Sequence, residues 1–263
     1  MDMQLAGKRA FVSGSTQGIG YAIARALLKE GASVVVNGRS GDRVASAVQR
    51  LSVDVPGATV SGLAADFDDA EQVRRMLEAL GEIDILVNNV GLFEVTPFDD
   101  IPDEDWERYF AVNVMSGVRL SRHLLPGMLA RNSGRILFIG SESGVNIPAD
   151  MIHYGVTKAA MIALGNGLAK LTRGTDVTVN TILGGPTYSD GVASTVAAIA
   201  EAQGMATDDL KAAIIGGNQT SLLQRFLEPA EIARLAVYLA SPLSSATNGA
   251  AVRADGGVLT AML

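Results

Sequence analysis

Tyr154 and Lys158 are four residues apart in a stretch with helical periodicity, so both side chains lie on one face of a predicted helix. An ammonium beside a phenol favours the phenolate and lowers a tyrosine pKa from ~10 toward neutral pH. The same spacing also occurs as an ordinary exposed contact between helix turns. Ser141, thirteen residues before Tyr154, closes a predicted strand and could hold the same substrate oxygen. Together the three residues predict acid–base chemistry at an oxygen atom.

A glycine-rich turn follows the first apolar run of the chain, with glycines in the order Gly-x-x-x-Gly-x-Gly. Glycines let a backbone turn tightly and approach a pyrophosphate, whose charge is stabilised at the N-terminus of the following helix. Such glycines are also routine in strand–helix turns that bind nothing. The position after the first strand favours phosphate binding. The predicted contacts are Gly14, Ser15, Thr16, Gln17, Gly18, Ile19 and Gly20.

Polar residues also follow the fourth apolar run, in the order Asn88, Asn89, Val90 and Gly91. Side chains at the carboxyl end of a strand fall in the crevice where open α/β sheets bind ligands. Asparagine and glycine are turn-forming residues as well, so turn chemistry alone could explain the motif. The motif is a second candidate for ligand binding at the predicted sheet edge.

These residues lie in a chain where strand and helix patterns alternate throughout. The predicted strands are 9–13, 33–37, 59–64, 83–88, 134–141, 176–183 and 250–253. The predicted helices are 19–30, 42–51, 70–80, 103–131, 152–171 and 228–240. Such alternation predicts one α/β domain over residues 1–263, a doubly wound parallel sheet of seven strands with helices on both faces.

One segment, residues 186–227, departs from this alternation. It combines helix-prone Ala/Ile stretches with glycines at 191, 204, 216 and 217. A structureless loop of that length is improbable in a compact domain. The composition favours a helical lid with glycine hinges over a substrate pocket. An insertion that only pads an oligomer interface is the alternative.

Composition excludes several classes of function. The net charge of −7 argues against a nucleic-acid partner. The sequence contains no run of five basic residues, so binding to an anionic membrane is not expected. The chain has no cysteine and two histidines far apart, so we expect no metal site. We read no signal peptide and no apolar stretch of the ~18 residues that span a bilayer. A cytoplasmic protein is expected.

With these motifs in this order, nearly the whole chain resembles the short-chain dehydrogenase/reductase family. The resemblance implies a nicotinamide-dependent Rossmann-fold oxidoreductase with a catalytic tetrad of Asn113, Ser141, Tyr154 and Lys158. It implies that Tyr154 exchanges the proton and that Ser141 holds the carbonyl oxygen. Lys158 would bind the nicotinamide ribose, and Asn113 would hold a relay water. An asparagine in mid-helix could instead simply kink or cap the helix.

The resemblance extends to further cofactor contacts. Asp66 and the adjacent Phe67 stand where the family contacts adenine, and Asp255-Gly256-Gly257 resembles a mainly structural turn. Around the carboxamide the resemblance implies contacts from Gly185, Thr187 and Ser189. The departures from the family pattern are Ser13 for Thr, Val90 for Ala, Gly184 for Pro and Ser189 for Thr. Gly184 should loosen a loop that proline would stiffen.

The second predicted strand favours NADP(H) over NAD(H) as the cofactor. It ends Val36-Asn37-Gly38-Arg39-Ser40, without the carboxylate that would hold the ribose hydroxyls. Arg39 can pair with a 2′-phosphate in a bidentate fashion, and Ser40 can add a hydroxyl. A solvated arginine at the start of the next helix is the competing interpretation.

The substrate is predicted to be a neutral, fairly hydrophobic ketone or its alcohol, since the candidate wall is mostly apolar. Besides Ser141, the candidates are Phe93, Val145, Ile147, Met151, Tyr188, Val192 and Val196. Several of these side chains could instead only pack the lid onto the body. Two other functions stay open: a 3-oxoacyl-carrier-protein reductase, and a non-catalytic NADP(H)-sensing protein that has lost catalysis.

The chain is also expected to assemble into a homotetramer, or at least a dimer. Small residues keep the 154–171 helix slim, and the apolar tail 258–263 would be unusual in water. The family resemblance points the same way.

Overall fold

A computed structural model describes residues 1–218 and 220–262, with the described strands in one parallel seven-stranded sheet. The strands run in the order β3-β2-β1-β4-β5-β6-β7. Their bounds are β1 Arg9–Val12, β2 Ser33–Gly38, β3 Val60–Ala64, β4 Ile85–Asn88, β5 Gly134–Ser141, β6 Val177–Gly184 and β7 Ala251–Ala254. The doubly wound parallel sheet predicted from the sequence is confirmed.

Helices cover both faces of this sheet. Their bounds are α1 Gly18–Lys29, α2 Gly41–Asp54, α3 Ala70–Leu80, α4 Asp103–Tyr109, α5 Met115–Ala130, α6 Ile152–Leu171, α7 Asp190–Gln203, α8 Thr207–Gly217 and α9 Pro229–Ala240. Strands β4, β5 and β6 are buried along their whole length, as expected for parallel strands covered on both sides. In the described part of the chain, no helix is long and apolar enough to cross a membrane.

The core lies in two apolar layers, one on each side of the sheet. Leu27 of α1 and Ile232 of α9 belong to one layer, and Leu120 of α5 and Met161 of α6 belong to the other. The two layers fix the helices against the faces of the sheet. The carboxyl ends of the strands lie at one edge, which these layers do not cover. That edge is where the predicted site residues meet.

The predicted helix 103–131 is interrupted in the structure. A π-helical segment, Phe110–Val114, separates α4 from α5. At its centre, Asn113 is fully buried and turns its side chain to the backbone of Leu92. Sequence periodicity does not show such a wide turn, because it adds a single residue to the helical repeat.

The 186–227 segment is a pair of helices, α7 and α8, joined through Gly204 in a left-handed conformation (φ +64°). Its two ends are tied together, because Tyr188 N donates to Leu227 O and Leu227 N donates to Pro186 O, each at 2.8 Å. Gln219 within this segment and Leu263 at the apolar tail lie outside the described residues. The expected helical excursion is present, and its action as a lid stays a prediction.

Candidate functional site

A cavity of about 650 Å³ opens at the carboxyl ends of the strands and joins most of the predicted site residues. Those predicted as cofactor contacts that line it are Gly14, Thr16, Gln17, Gly18, Ile19, Arg39, Ser40, Asp66, Phe67, Asn89, Val90, Gly91, Tyr154, Lys158 and Ser189. This location is where open α/β sheets bind ligands. The cavity is therefore the candidate active site.

The turn between β1 and α1 is held in one conformation by glycines and by two asparagine side chains. Gly14 and Gly18 have φ values of +59° and +60°, which residues with a Cβ atom rarely adopt. Asn89 braces the turn, since its Nδ2 donates to Ser13 O at 3.0 Å and to Gly14 O at 2.9 Å. Asn37 Oδ1 accepts from Gly14 N at 3.1 Å. The turn is thus fixed by side chains behind it.

The predicted turn residues Ser15 and Gly20 lie behind the cavity wall. Ser15 is buried, and its Oγ donates to Val12 O at 2.6 Å. Gly20 packs directly against the turn, where a Cβ would come within 2.5 Å of Gly14 O. Their contribution is to the shape of the turn.

A carboxylate from the 186–227 segment reaches the N-terminus of α1. Asp190, the first residue of α7, accepts a hydrogen bond from Gly18 N at 2.6 Å. The N-cap residue of α1, Gln17, makes no side-chain cap of its own. A carboxylate at this position shows that the helix end accepts an anion. Asp190 has no local signal in the sequence, because the contact joins residues 172 positions apart.

Two arginines stand at the end of β2. Arg39 follows the strand directly, and Arg43 lies one turn into α2 on the same side of the cavity. Ser40 occupies the N-cap position of α2 without a side-chain cap bond. Arg43 was missed in the sequence, although it is a second arginine only four residues after Arg39, and both line the cavity. The pair creates a positive corner at the cavity's edge.

Asp66 and Phe67 close the same end of the cavity, just after β3. The Asp66 carboxylate accepts from Asp68 N at 3.1 Å, and Gln72 Oε1 accepts from Asp66 N at the same distance. These bonds hold the backbone there in one conformation. A planar ring could lie between this wall and the β1–α1 turn.

At the other end of the cavity, Tyr154 and Lys158 come from α6. The Lys158 Nζ atom is 5.5 Å from the Tyr154 ring centre and donates to Ile139 O at 2.9 Å. Burial lowers the pKa of Lys158 to about 8, and the nearby Glu142 carboxylate opposes that shift. Burial also raises the pKa of Tyr154 above its ordinary value, while a hydrogen bond with Ser141 acts in the opposite direction. Proton transfer from Tyr154 therefore needs additional positive charge nearby.

Asn113 ties the cavity wall to α6. Its Oδ1 accepts from Leu92 N at 2.6 Å, and its Nδ2 donates to Leu92 O at 3.0 Å and Thr157 Oγ1 at 2.9 Å. Thr157 Oγ1 in turn donates to Tyr154 O at 2.7 Å. Both amide protons of Asn113 are used in positioning, and its part in a proton relay stays a prediction.

Ser141 ends β5 beside a carboxylate that the sequence analysis did not single out. The Ser141 hydroxyl donates to the Glu142 carboxylate, and Ser141 Oγ accepts from Ser143 N at 3.1 Å. Ser143 Oγ donates to the other oxygen of Glu142 at 3.2 Å. A charged residue directly after a buried strand, at the binding edge of the sheet, was the available signal. Glu142 therefore belongs to the immediate surroundings of the candidate catalytic residues.

The remaining carboxamide candidates lie at the base of the 186–227 segment. A Cβ on Gly185 would meet the Asp255 backbone at 2.5 Å, and Thr187 Oγ1 donates to Gly185 O at 2.9 Å. Ser189 caps α7 through a 3.4 Å bond from Val192 N. Of these three predicted contacts, Ser189 lines the cavity.

The predicted substrate wall divides into two groups. Phe93 lines the cavity with its ring 6.4 Å from that of Tyr154, and Met151 is half-buried at the start of α6. Val145 and Ile147 lie exposed on the loop after β5.

The second group packs inside the 186–227 segment. Tyr188 stacks between Phe226 and Lys211, and Val196 is buried against Ala200. Val192 packs on the same small core. These three side chains pack within the segment itself, so their contact with a substrate stays a prediction.

Comparison with known proteins gives a consistent family. A family model described as "short chain dehydrogenase" matches residues 8–200. An uncharacterized oxidoreductase of Bacillus subtilis, YvrD, is 48% identical over 266 aligned positions that cover 100% of both chains. The D-beta-hydroxybutyrate dehydrogenase of Cupriavidus necator is 35% identical, over 96% of this chain and 98% of that one.

A solved structure is also close to this one. The L-sorbose reductase of Gluconobacter frateurii, complexed with NADPH and L-sorbose, is 33% identical and superposes with a TM-score of 0.94. The match covers 100% of both chains. The fold is thus shared along the whole length, including the 186–227 segment.

Proposed function

The chain belongs to the short-chain dehydrogenase family and is an oxidoreductase with a Rossmann fold, and we propose that it reduces a neutral ketone with NADPH. In the reverse direction it would oxidise the matching alcohol with NADP. One observation carries the proposal. A single cavity joins the Tyr154–Lys158 pair at one end to two arginines and a helix N-terminus at the other.

The residues of the cavity fit a nicotinamide dinucleotide phosphate. The N-terminus of α1 already accepts the Asp190 carboxylate, so it can accept a phosphate. Arg39 and Arg43 would hold the 2′-phosphate, and β2 ends without a carboxylate that would repel it. The L-sorbose reductase that shares the fold is described with NADPH bound. When bound, this cofactor supplies the hydride.

The residues of this chain then supply the proton and hold the oxygen. Reduction of a carbonyl places negative charge on its oxygen, which needs hydrogen-bond donors and a proton. Tyr154 would give the proton, and Ser141 would hold the oxygen. Burial raises the pKa of Tyr154, so the tyrosinate that is left needs positive charge. The Lys158 ammonium, together with the oxidised nicotinamide, would supply it.

Two alternative functions have less support. A non-catalytic NADP(H)-sensing protein would not need the Tyr154–Lys158 pair in its cavity. A carrier-protein reductase needs a basic patch near the cavity mouth for its acidic partner. The three candidates for that patch are Arg131, Lys170 and Arg173. They lie at or beyond the C-terminal ends of α5 and α6, before β5 and β6 begin, so they belong to the opposite edge of the sheet.

We also propose assembly into a homotetramer. Residues Ala163, Asn166 and Gly167 leave an exposed slim face on α6, and Met262 of the tail is 97% exposed. Light scattering at micromolar concentration is expected to show a tetramer or at least a dimer, and a monomer would contradict this.

The cytoplasmic location stays a prediction, which fractionation of the native cells would check.

Cofactor preference tests the proposal most simply. Wild type is expected to oxidise NADPH with a panel of neutral ketones and to prefer NADPH over NADH. Arg39→Ala and Arg43→Ala should each weaken that preference, while Arg122→Ala, an exposed arginine on α5, serves as the charge-matched control. An enzyme that favours NADH, or arginine variants that keep the wild-type preference, would contradict the cofactor assignment.

A further inference from the structure

Glu142 presents a carboxylate where the substrate carbonyl is expected. It is the first residue after β5, half-buried in a short 3-10 turn that begins beside Ser141. Its two oxygens accept from the hydroxyls of Ser141 and Ser143. The rest of the predicted wall is mostly apolar, so this acidic group needs an explanation.

The hydroxyl of Ser141 has one proton, and in the structure that proton points to Glu142. Ser141 Oγ also accepts from Ser143 N, which fixes the hydroxyl from the other side. A carboxylate is an acceptor only, so it cannot return a hydrogen bond. Glu142, the Tyr154 oxygen and a substrate carbonyl oxygen therefore compete for the same serine proton. A ketone without a donor leaves either Glu142 or the carbonyl oxygen without a hydrogen bond from Ser141.

Resting on the proposed ketone reduction, we propose that Glu142 selects ketones that carry a hydroxyl on the carbon next to the carbonyl. That hydroxyl would donate to Glu142 and release the Ser141 proton for the carbonyl oxygen. Two hydrogen-bond lengths, from the carbonyl oxygen to Ser141 and from Ser141 to Glu142, add up to about 5–6 Å. A hydroxyl on the carbon next to the carbonyl fits within that distance and can reach Glu142. Ser141, Glu142 and the substrate hydroxyl then each have a hydrogen-bond partner.

The charge of Glu142 adds a second selection. The negative charge of Glu142 raises the pKa of both Tyr154 and Lys158. Its electric field therefore extends over the part of the cavity beside these two residues. A substrate whose hydroxyl-bearing carbon is oxidised to a carboxylate would bring like charges together, and such contacts discriminate strongly against a ligand. The inference therefore separates hydroxyketones from oxoacids with the same carbon skeleton.

Three substrates that share a four-carbon 2-oxo skeleton and differ in the group at C1 test this inference. They are 1-hydroxybutan-2-one, 1-methoxybutan-2-one, which is similarly activated but has no donor, and the anion 2-oxobutanoate. For wild type we expect kcat/KM for the hydroxyketone to exceed that for the methoxyketone about 10-fold or more, as for a hydrogen bond to a charged group. We expect 2-oxobutanoate to be the poorest of the three.

Two variants separate the acceptor from the charge. Glu142→Met removes both and should bring the hydroxy-to-methoxy ratio down at least fivefold, to about the level of chemical reactivity alone. Glu142→Gln keeps an acceptor oxygen but removes the charge, so it should mainly raise the relative use of 2-oxobutanoate. Glu107→Gln, at an exposed position on α4, is the control for loss of one negative charge. Circular dichroism checks that each variant is folded.

The outcomes distinguish this inference from the proposed function. Wild type that reduces hydroxy- and methoxyketone equally well would overturn the role of Glu142 while ketone reduction stands. A Glu142→Met variant that keeps the wild-type ratio would do the same, and so would a Glu142→Gln variant with unchanged discrimination against 2-oxobutanoate. Absence of NADPH oxidation with every ketone, including the wider panel, would overturn both.

Discussion

The variant Gly20→Ala tests whether the turn before α1 depends on close backbone approach. A Cβ at this position would lie 2.5 Å from Gly14 O, 2.5 Å from Asn89 Nδ2 and 2.9 Å from Ser15 Cα. Two of these three atoms belong to the backbone and cannot swing aside. Since non-bonded atoms settle about 3.5 Å apart, the turn must move by roughly 1 Å.

The size of the effect follows from two opposing terms. Alanine in a helix gains about 1 kcal/mol over glycine, whereas overpacking a tight site costs about 1–3 kcal/mol. The net loss of stability of up to about 2 kcal/mol would lower Tm by about 2–4 °C per kcal/mol in a domain of roughly this size. Cofactor binding should suffer more, because the phosphates are expected against this turn and a shift of about 1 Å takes its N–H groups out of the roughly 2.7–3.2 Å range of hydrogen bonds. We expect the Kd for NADPH to rise at least about 10-fold.

Gly216→Ala is the matched control, because a Cβ at this glycine in α8 would meet nothing within 4 Å. Thermal denaturation and titration with NADPH measure both quantities on the same preparations. The control should keep the wild-type Kd and lose no stability. If Gly20→Ala bound NADPH as tightly as wild type, the β1–α1 turn would not be the phosphate site.

Two further predictions concern charge at the ends of the cavity. Lys158 has a pKa of about 8, below its ordinary value. The contribution of its ammonium to NADPH binding should therefore be present below that pH and lost as the pH rises through it. A Kd for NADPH that stays constant across this range, or a Lys158→Met variant with an unchanged pH profile, would contradict this. Asp190→Asn should tighten NADPH binding by up to about fivefold, because it removes a negative charge from the helix end where the phosphates are expected. Weaker binding by the Asp190→Asn variant would show instead that the carboxylate supports the site.

The parts of the fold and site that the sequence predicted are those with local signals. The strands are apolar runs, and Tyr154 and Lys158 share one helix turn, so short windows of sequence contain the information. The glycines before α1 are similarly local, because a tight strand–helix turn requires them in a fixed order. These elements were expected from spacing alone.

The parts that the sequence missed depend on contacts between distant segments. Asp190 reaches Gly18 only after the 186–227 segment folds over the cavity. The π-helical turn at Asn113 depends on the Leu92 backbone that its side chain binds. Glu142 and Arg43 did have local signals, since one follows Ser141 directly and the other follows Arg39 by four residues. Their significance emerged once the cavity showed which side chains face it.

The central claim is that Tyr154 supplies the proton for ketone reduction, and the variant Tyr154→Phe tests it most directly. The substitution removes one hydroxyl from a side chain that lines the cavity and leaves the ring in place. With a ketone that wild type reduces, kcat should fall at least about 100-fold, the loss expected from removing a positioned acid. The Kd for NADPH, measured on the same preparation, should show that the cofactor still binds. A kcat near that of wild type would contradict the mechanism.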